Sequence, residues 1–139
     1  MATPSPASLS PFNGPLTHLN SLPGVVYVVV SAPDGLHIAG GDPHDENIEM
    51  WSAVAAVLGK LSKKCLQSLA QETLGVAVFT MTNAHCIVVP ISIGFLLVVV
   101  QTEAEVEHVC EQAHMIAQKL EAVMEGMHRD HALERNTHV

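Results

Sequence analysis

Histidines and cysteines have the widest range of chemistry in this 139-residue chain, which contains nine of the former and three of the latter. Cys110 and His114 are four positions apart and Glu111 precedes His114 by three, so on one helix these side chains would share a face. Metal sites use such spacings. A closed site also needs ligands from a second element, for which the sequence offers His85-Cys86. We therefore predict that the chain has no metal site. The alternative is a metal-binding protein that uses Cys110 and His114.

Nucleophilic catalysis and nucleotide binding have weaker support in the sequence. The three cysteines, Cys65, Cys86 and Cys110, each lie within an apolar segment, and no local signature of a catalytic thiol surrounds them. An odd number of such cysteines predicts buried, reduced thiols in an intracellular protein. The Gly-Gly-Asp sequence at 40–42 lacks the Lys and the Ser or Thr of a phosphate-binding loop. We predict neither an enzyme nor a cofactor.

Charge and hydropathy limit the class of protein. The chain has six basic and fourteen acidic residues and a net charge of -8 at pH 7, so a nucleic-acid backbone is not an expected partner. The N-terminus lacks the pattern of a signal peptide, and no apolar run reaches the roughly 20 residues of a membrane span. A chain of 139 residues can bury a core without metal or disulfide bonds. These features predict one cytoplasmic domain.

The apolar pattern separates this domain from two tails. Residues 1–15 are rich in proline and small polar residues and predict a disordered N-terminal tail. The domain is predicted to cover residues 16–127, and the polar stretch 128–139 to form a C-terminal tail. Leucines at 16, 19 and 22 predict a short first helix. Strands are predicted at residues 25–30, 36–39, 76–81, 86–89 and 95–101, and long helices at 47–70 and 103–127.

The middle helix, residues 47–70, has two contrasting sides. Its larger apolar residues recur every three or four positions, at Trp51, Val54, Leu58, Leu61, Cys65 and Leu69. We expect this stripe to be buried. The opposite side carries small and basic residues, namely Ala53, Ala56, Lys60, Lys63, Lys64 and Gln67. Such a helix could contact a sheet and a second protein at once.

Two predicted strands are almost wholly aliphatic. Residues 25–30 and 96–100 are unbroken runs of Val, Leu and Tyr, which is typical of strands covered on both faces. We expect them to be neighbours at the centre of one sheet. Because the two long amphipathic helices are the available cover, the predicted fold is an α+β, three-layer α-β-α sandwich.

Five short segments add a family resemblance. They read LPGV at 22–25, SAPDGL at 31–36, SAVAA at 52–56, IVVPI at 87–91 and LLVVV at 96–100. In this order and at these spacings they resemble the roadblock/dynein light-chain domain, and the resemblance covers residues 16–124. A single domain without long insertions looks more like the prokaryotic branch that regulates small GTPases than the motor branch.

The resemblance implies a profilin-like fold with the order α-β-β-α-β-β-β-α and a five-stranded antiparallel sheet. It also implies a homodimer, in which edge strands join and the middle helices of two subunits pack side by side. Mapped onto this sequence, the dimer interface would contain Ala53, Ala56, Val76, Val78, Phe79 and Thr80.

The function implied by the resemblance is not catalytic. Similar proteins are dimeric adaptors or regulators of Ras-like small GTPases, or light chains of motor complexes. We expect a small Ras-like GTPase as partner, contacting Lys60, Lys63, Lys64 and Gln67. An arginine finger is not expected, because the two arginines, Arg129 and Arg135, lie in the predicted tail. The alternative is a structural, light-chain-type subunit of a larger motor or signalling assembly.

Overall fold

The structure, a computed structural model, describes residues 6–41, 45–68 and 75–137. Its elements follow the predicted order of helices and strands. They are α1 (Pro6–Asn20), β1 (Val25–Ser31), β2 (His37–Gly40), α2 (Ile48–Ser68), β3 (Ala77–Thr80), β4 (Ala84–Ile91), β5 (Gly94–Gln101) and α3 (Val106–Thr137). Within these ranges, no helix is both long and apolar enough to cross a membrane.

The five strands form one antiparallel sheet in the order β2-β1-β5-β4-β3. The two aliphatic strands β1 and β5 are neighbours at its centre, with Val29 opposite Leu97, which confirms the prediction from their composition. Strands β4 and β5 form a tight hairpin in which Ile91 pairs with Gly94. The edges of the sheet are β2 and the four-residue strand β3.

Helices cover both faces of the sheet, so the predicted three-layer fold is confirmed. On one face, Val28, Val30, Leu96 and Val98 belong to a core cluster shared with α1 and α3. Among the described side chains of helix α3, those of Val109, Ala113, Ile116 and Leu120 are fully buried at the expected spacing. On the other face, a smaller core cluster lies beneath α2.

The first helix begins earlier than the sequence predicts. It starts at Pro6, so the prediction of a disordered tail is wrong from that residue onward, while residues 1–5 lie outside the described part. Phe12 is only 8% exposed and continues the buried stripe of Leu16 and Leu19 by one helical turn. Burial of this aromatic side chain stabilises a helix that its proline-rich composition disfavours.

The last helix also differs from its predicted bounds. It begins at Val106 rather than at residue 103, after a turn in which the Ala104 N–H donates to the Gln101 carbonyl at 3.0 Å. It continues through Thr137, so most of the predicted tail 128–139 is helical backbone. Residues 128–137 contain neither glycine nor proline, so their sequence lacks the usual signals for the end of a helix.

Candidate protein interaction surface

Helix α2 rests on the sheet through small residues. Its buried positions are Ser52, Ala55, Ala56, Gly59 and Ser62. At Gly59 the helix backbone comes so close to the sheet that an added Cβ would overlap the ring of Phe95. The two buried hydroxyls are satisfied within the helix, because Ser52 donates to the Ile48 carbonyl at 2.8 Å and Ser62 to the Leu58 carbonyl at 2.7 Å.

The prediction that the larger apolar residues of α2 are buried is therefore right only in part, since Trp51, Val54 and Leu58 pack against the core cluster beneath the helix. Trp51, Val54 and Leu58 are half-buried, Leu61 is 49% exposed and Cys65 is exposed. The reason lies in the sheet, whose face beneath α2 carries bulky side chains such as Phe95 and Leu97. A helix can come this close to bulky side chains only where its own residues are small. The larger residues of α2 therefore lie at the sides of the contact.

Two further surfaces of α2 lie beside its buried face. We define the outer stripe as Met50, Trp51, Val54, Leu58, Leu61 and Cys65. It begins where the rings of Trp51 and Tyr27 meet, with their centroids 5.8 Å apart. We define the basic flank as Ala53, Val57, Lys60, Lys64 and Gln67, all of which are exposed. The two sets adjoin at Val57, which is three residues after Val54 and four before Leu61 and is therefore their neighbour on the helix surface.

The four residues predicted to contact a partner do not share one environment. Lys60, Lys64 and Gln67 are exposed on the basic flank. Lys63 is exposed as well, but its Nζ lies 5.2 Å from the centroid of the Phe95 ring. This distance permits a cation–π interaction, which gives Lys63 a contact inside its own subunit. Sequence periodicity alone could not find this contact, because its partner lies on a distant strand.

The residues predicted for the dimer interface also separate into groups. Ala56 is 4% exposed and faces the sheet, so its side chain is not on the outer surface, contrary to the prediction. Ala53 is exposed, but on the basic flank. Val76 precedes β3 and packs against the core on the α1 and α3 face. The other three predicted residues, Val78, Phe79 and Thr80, lie on β3 itself.

Strand β3 is an open edge of the sheet in the part of the chain that the structure describes. It pairs with β4 alone, over the register Ala77 to Val88 and Thr80 to His85. Val78 is 43% exposed, and the half-buried Phe79 packs on the same core cluster as the outer stripe residue Leu58. The Thr80 hydroxyl lies 3.1 Å from His85 Nδ1 across this strand pair. The open edge and the outer stripe are thus on one side of the molecule.

The residues of the metal-binding alternative are not assembled. Among the described side chains, no three His, Cys, Asp or Glu residues come together in a group that could hold a metal ion. His114 Nε2 lies 3.4 Å from the amide nitrogen of Gln118. Burial and, to a smaller extent, the Glu107 carboxylate raise the pKa of the Cys110 thiol, which disfavours the thiolate that a metal requires. The described residues give this alternative no support.

The predicted burial of the other two cysteines is confirmed for Cys86 and wrong for Cys65. Cys86 is fully buried on β4, and burial raises the pKa of its thiol. Cys65 is exposed at the end of the outer stripe rather than buried. None of the three forms a disulfide bond.

Comparisons with known proteins give matches only at the level of structure. Neither protein-family models nor curated protein sequences match this chain. A solved Roadblock/LC7 domain from Streptomyces avermitilis is 18% identical in sequence, with a TM-score of 0.71 over 81% of this chain and 97% of that domain. The gliding protein MglB from Thermus thermophilus is 13% identical, with a TM-score of 0.74 over 91% of this chain and 96% of that protein.

A third similar structure is MglC from Myxococcus xanthus, which is 17% identical, with a TM-score of 0.57 over 81% of this chain and 98% of that protein. At such identities the likeness concerns the fold. The sheet order and the helices on both faces agree with it. This chain therefore has the fold of the Roadblock/LC7 domains, as the resemblance in its sequence predicted.

Proposed function

We propose that this chain is a dimeric interaction module that binds a Ras-like small GTPase, regulates or scaffolds it, and catalyses no reaction of its own. The single observation that carries the proposal is the apolar outer stripe of α2, which its own subunit leaves partly uncovered beside the open edge of β3. Support for the kind of partner comes from the Roadblock/LC7 fold and from the function that the sequence resemblance implies.

A second copy of the chain is the proposed cover for the outer stripe. Val54, Leu58, Leu61 and Cys65 recur at intervals of four, three and four residues, which is the spacing of a helix-pairing seam. Joining of two β3 edges would at the same time satisfy their unpaired backbone groups and extend the sheet across both subunits. Val78, Phe79 and Thr80 would then lie at the junction. This seam replaces the small-residue seam that the sequence suggested.

The basic flank is the proposed GTPase contact, with Lys60, Lys64 and Gln67 as its polar members. The dimer would present two copies of it, one for each subunit. We propose that any effect on GTP hydrolysis arises from moving the switch loops of the GTPase, because the basic residues on this surface are lysines. Lysine is not the residue that arginine-finger regulators insert into the nucleotide site.

Nucleotide-dependent binding tests this function. Purified chain is immobilised and exposed to cell extract that contains either a non-hydrolysable GTP analogue or GDP, and bound proteins are identified by mass spectrometry. The proposal expects a Ras-like GTPase that is retained in one nucleotide state more than in the other. Retention that is equal in both states would instead favour the structural-subunit alternative. Recovery of no GTPase in either state would refute the proposal.

A further inference from the structure

We draw no further inference here: the strongest candidate, the cleft between α1 and the first half of β1 that Asn13, Thr17 and Asn20 line together with Gly41 and Asp45, does not identify a ligand, because the Asp45 carboxylate already accepts a hydrogen bond from the Asn47 N–H and nothing among the described residues shows what would occupy the cleft.

Discussion

The backbone of Gly59 lies directly against the ring of Phe95, and this contact sets the depth of α2 on the sheet. Because the helix is so close, small residues fill the interface and the larger apolar residues are displaced to its sides. The partial exposure of the outer stripe follows from this arrangement. A helix held farther from the sheet would bury more of Leu58 and Leu61 and offer less apolar surface to partners.

Gly59→Ala is expected to destabilise the protein. The added Cβ would lie 2.3 Å from a carbon of the Phe95 ring. Such a severe overlap belongs to the upper part of the cost of about 1–3 kcal/mol that is typical of overpacking, and it therefore exceeds the gain of about 1 kcal/mol from the better helix propensity of alanine. Gly126→Ala is the matched control, because residue 126 lies within α3 and an added Cβ meets no atom within 4 Å. Urea unfolding should show a lower midpoint for the first variant and a higher one for the second. Equal midpoints would contradict the close approach.

Lys63→Gln is expected to lower the free energy of unfolding, whereas Lys60→Gln should leave it nearly unchanged. The Nζ of Lys63 faces the ring of Phe95, and an exposed cation–π interaction contributes about 0.5–1 kcal/mol. Lys60 belongs to the basic flank, and its substitution removes the same charge from the same helix, so it is the control. Chemical unfolding of both variants measures the difference. Lys63→Gln should also affect the proposed GTPase binding less than Lys60→Gln does.

Hydrophobic patterning predicted the position of β1 and β5 in the sheet well, because strands this apolar can be covered on both faces only at its centre. Unbroken runs such as residues 96–100 need cover on both faces, and central positions provide it. The sequence could not predict which side of α2 faces the sheet. Leu58 is more hydrophobic than Gly59, so a rule based on the hydrophobic pattern buries the larger residue. Steric bulk on the sheet, at Phe95, decides in favour of glycine.

Contacts between residues far apart in the chain explain the other differences between the predictions and the structure. Phe12 stands between Pro11 and Pro15, whose presence suggested disorder, and its burial depends on a core built by residues far along the chain. The contact between Lys63 and Phe95 joins residues on α2 and β5, so no local spacing contains it. The exposure of Leu36, by contrast, follows from its place directly after the turn, and turn chemistry could have indicated it.

The thiols are expected to make stability depend on pH in the alkaline range. Burial raises the pKa of Cys86 in the folded protein above the ordinary value of 9.0 that applies after unfolding. The folded state thus holds this proton more tightly, so its contribution is fully present below about pH 9 and is lost as pH rises through the folded pKa. Unfolding free energies measured between pH 8 and pH 10 should fall less steeply for Cys86→Ala than for the unaltered chain.

Alkylation kinetics give an independent reading of the same thiols. The exposed Cys65 should react with iodoacetamide first, the half-buried Cys110 more slowly, and the fully buried Cys86 only as the protein unfolds. Mass spectrometry of peptides from a time course would order the three sites. Rapid modification of Cys86 in folded protein would contradict its burial on β4.

Leu61→Asp is expected to convert the proposed dimer into a monomer that remains folded. Leu61 is 49% exposed within its own subunit, so a charge there costs little in the monomer, but in the proposed helix seam the same carboxylate would lose its hydration against apolar side chains. Met115→Asp is the control, because Met115 is similarly exposed and lies on the opposite face of the sheet. Sedimentation velocity should give a monomer for the first variant and a dimer for the second, with circular dichroism confirming that both are folded. A dimer that persists in Leu61→Asp would show that the outer stripe is not the seam.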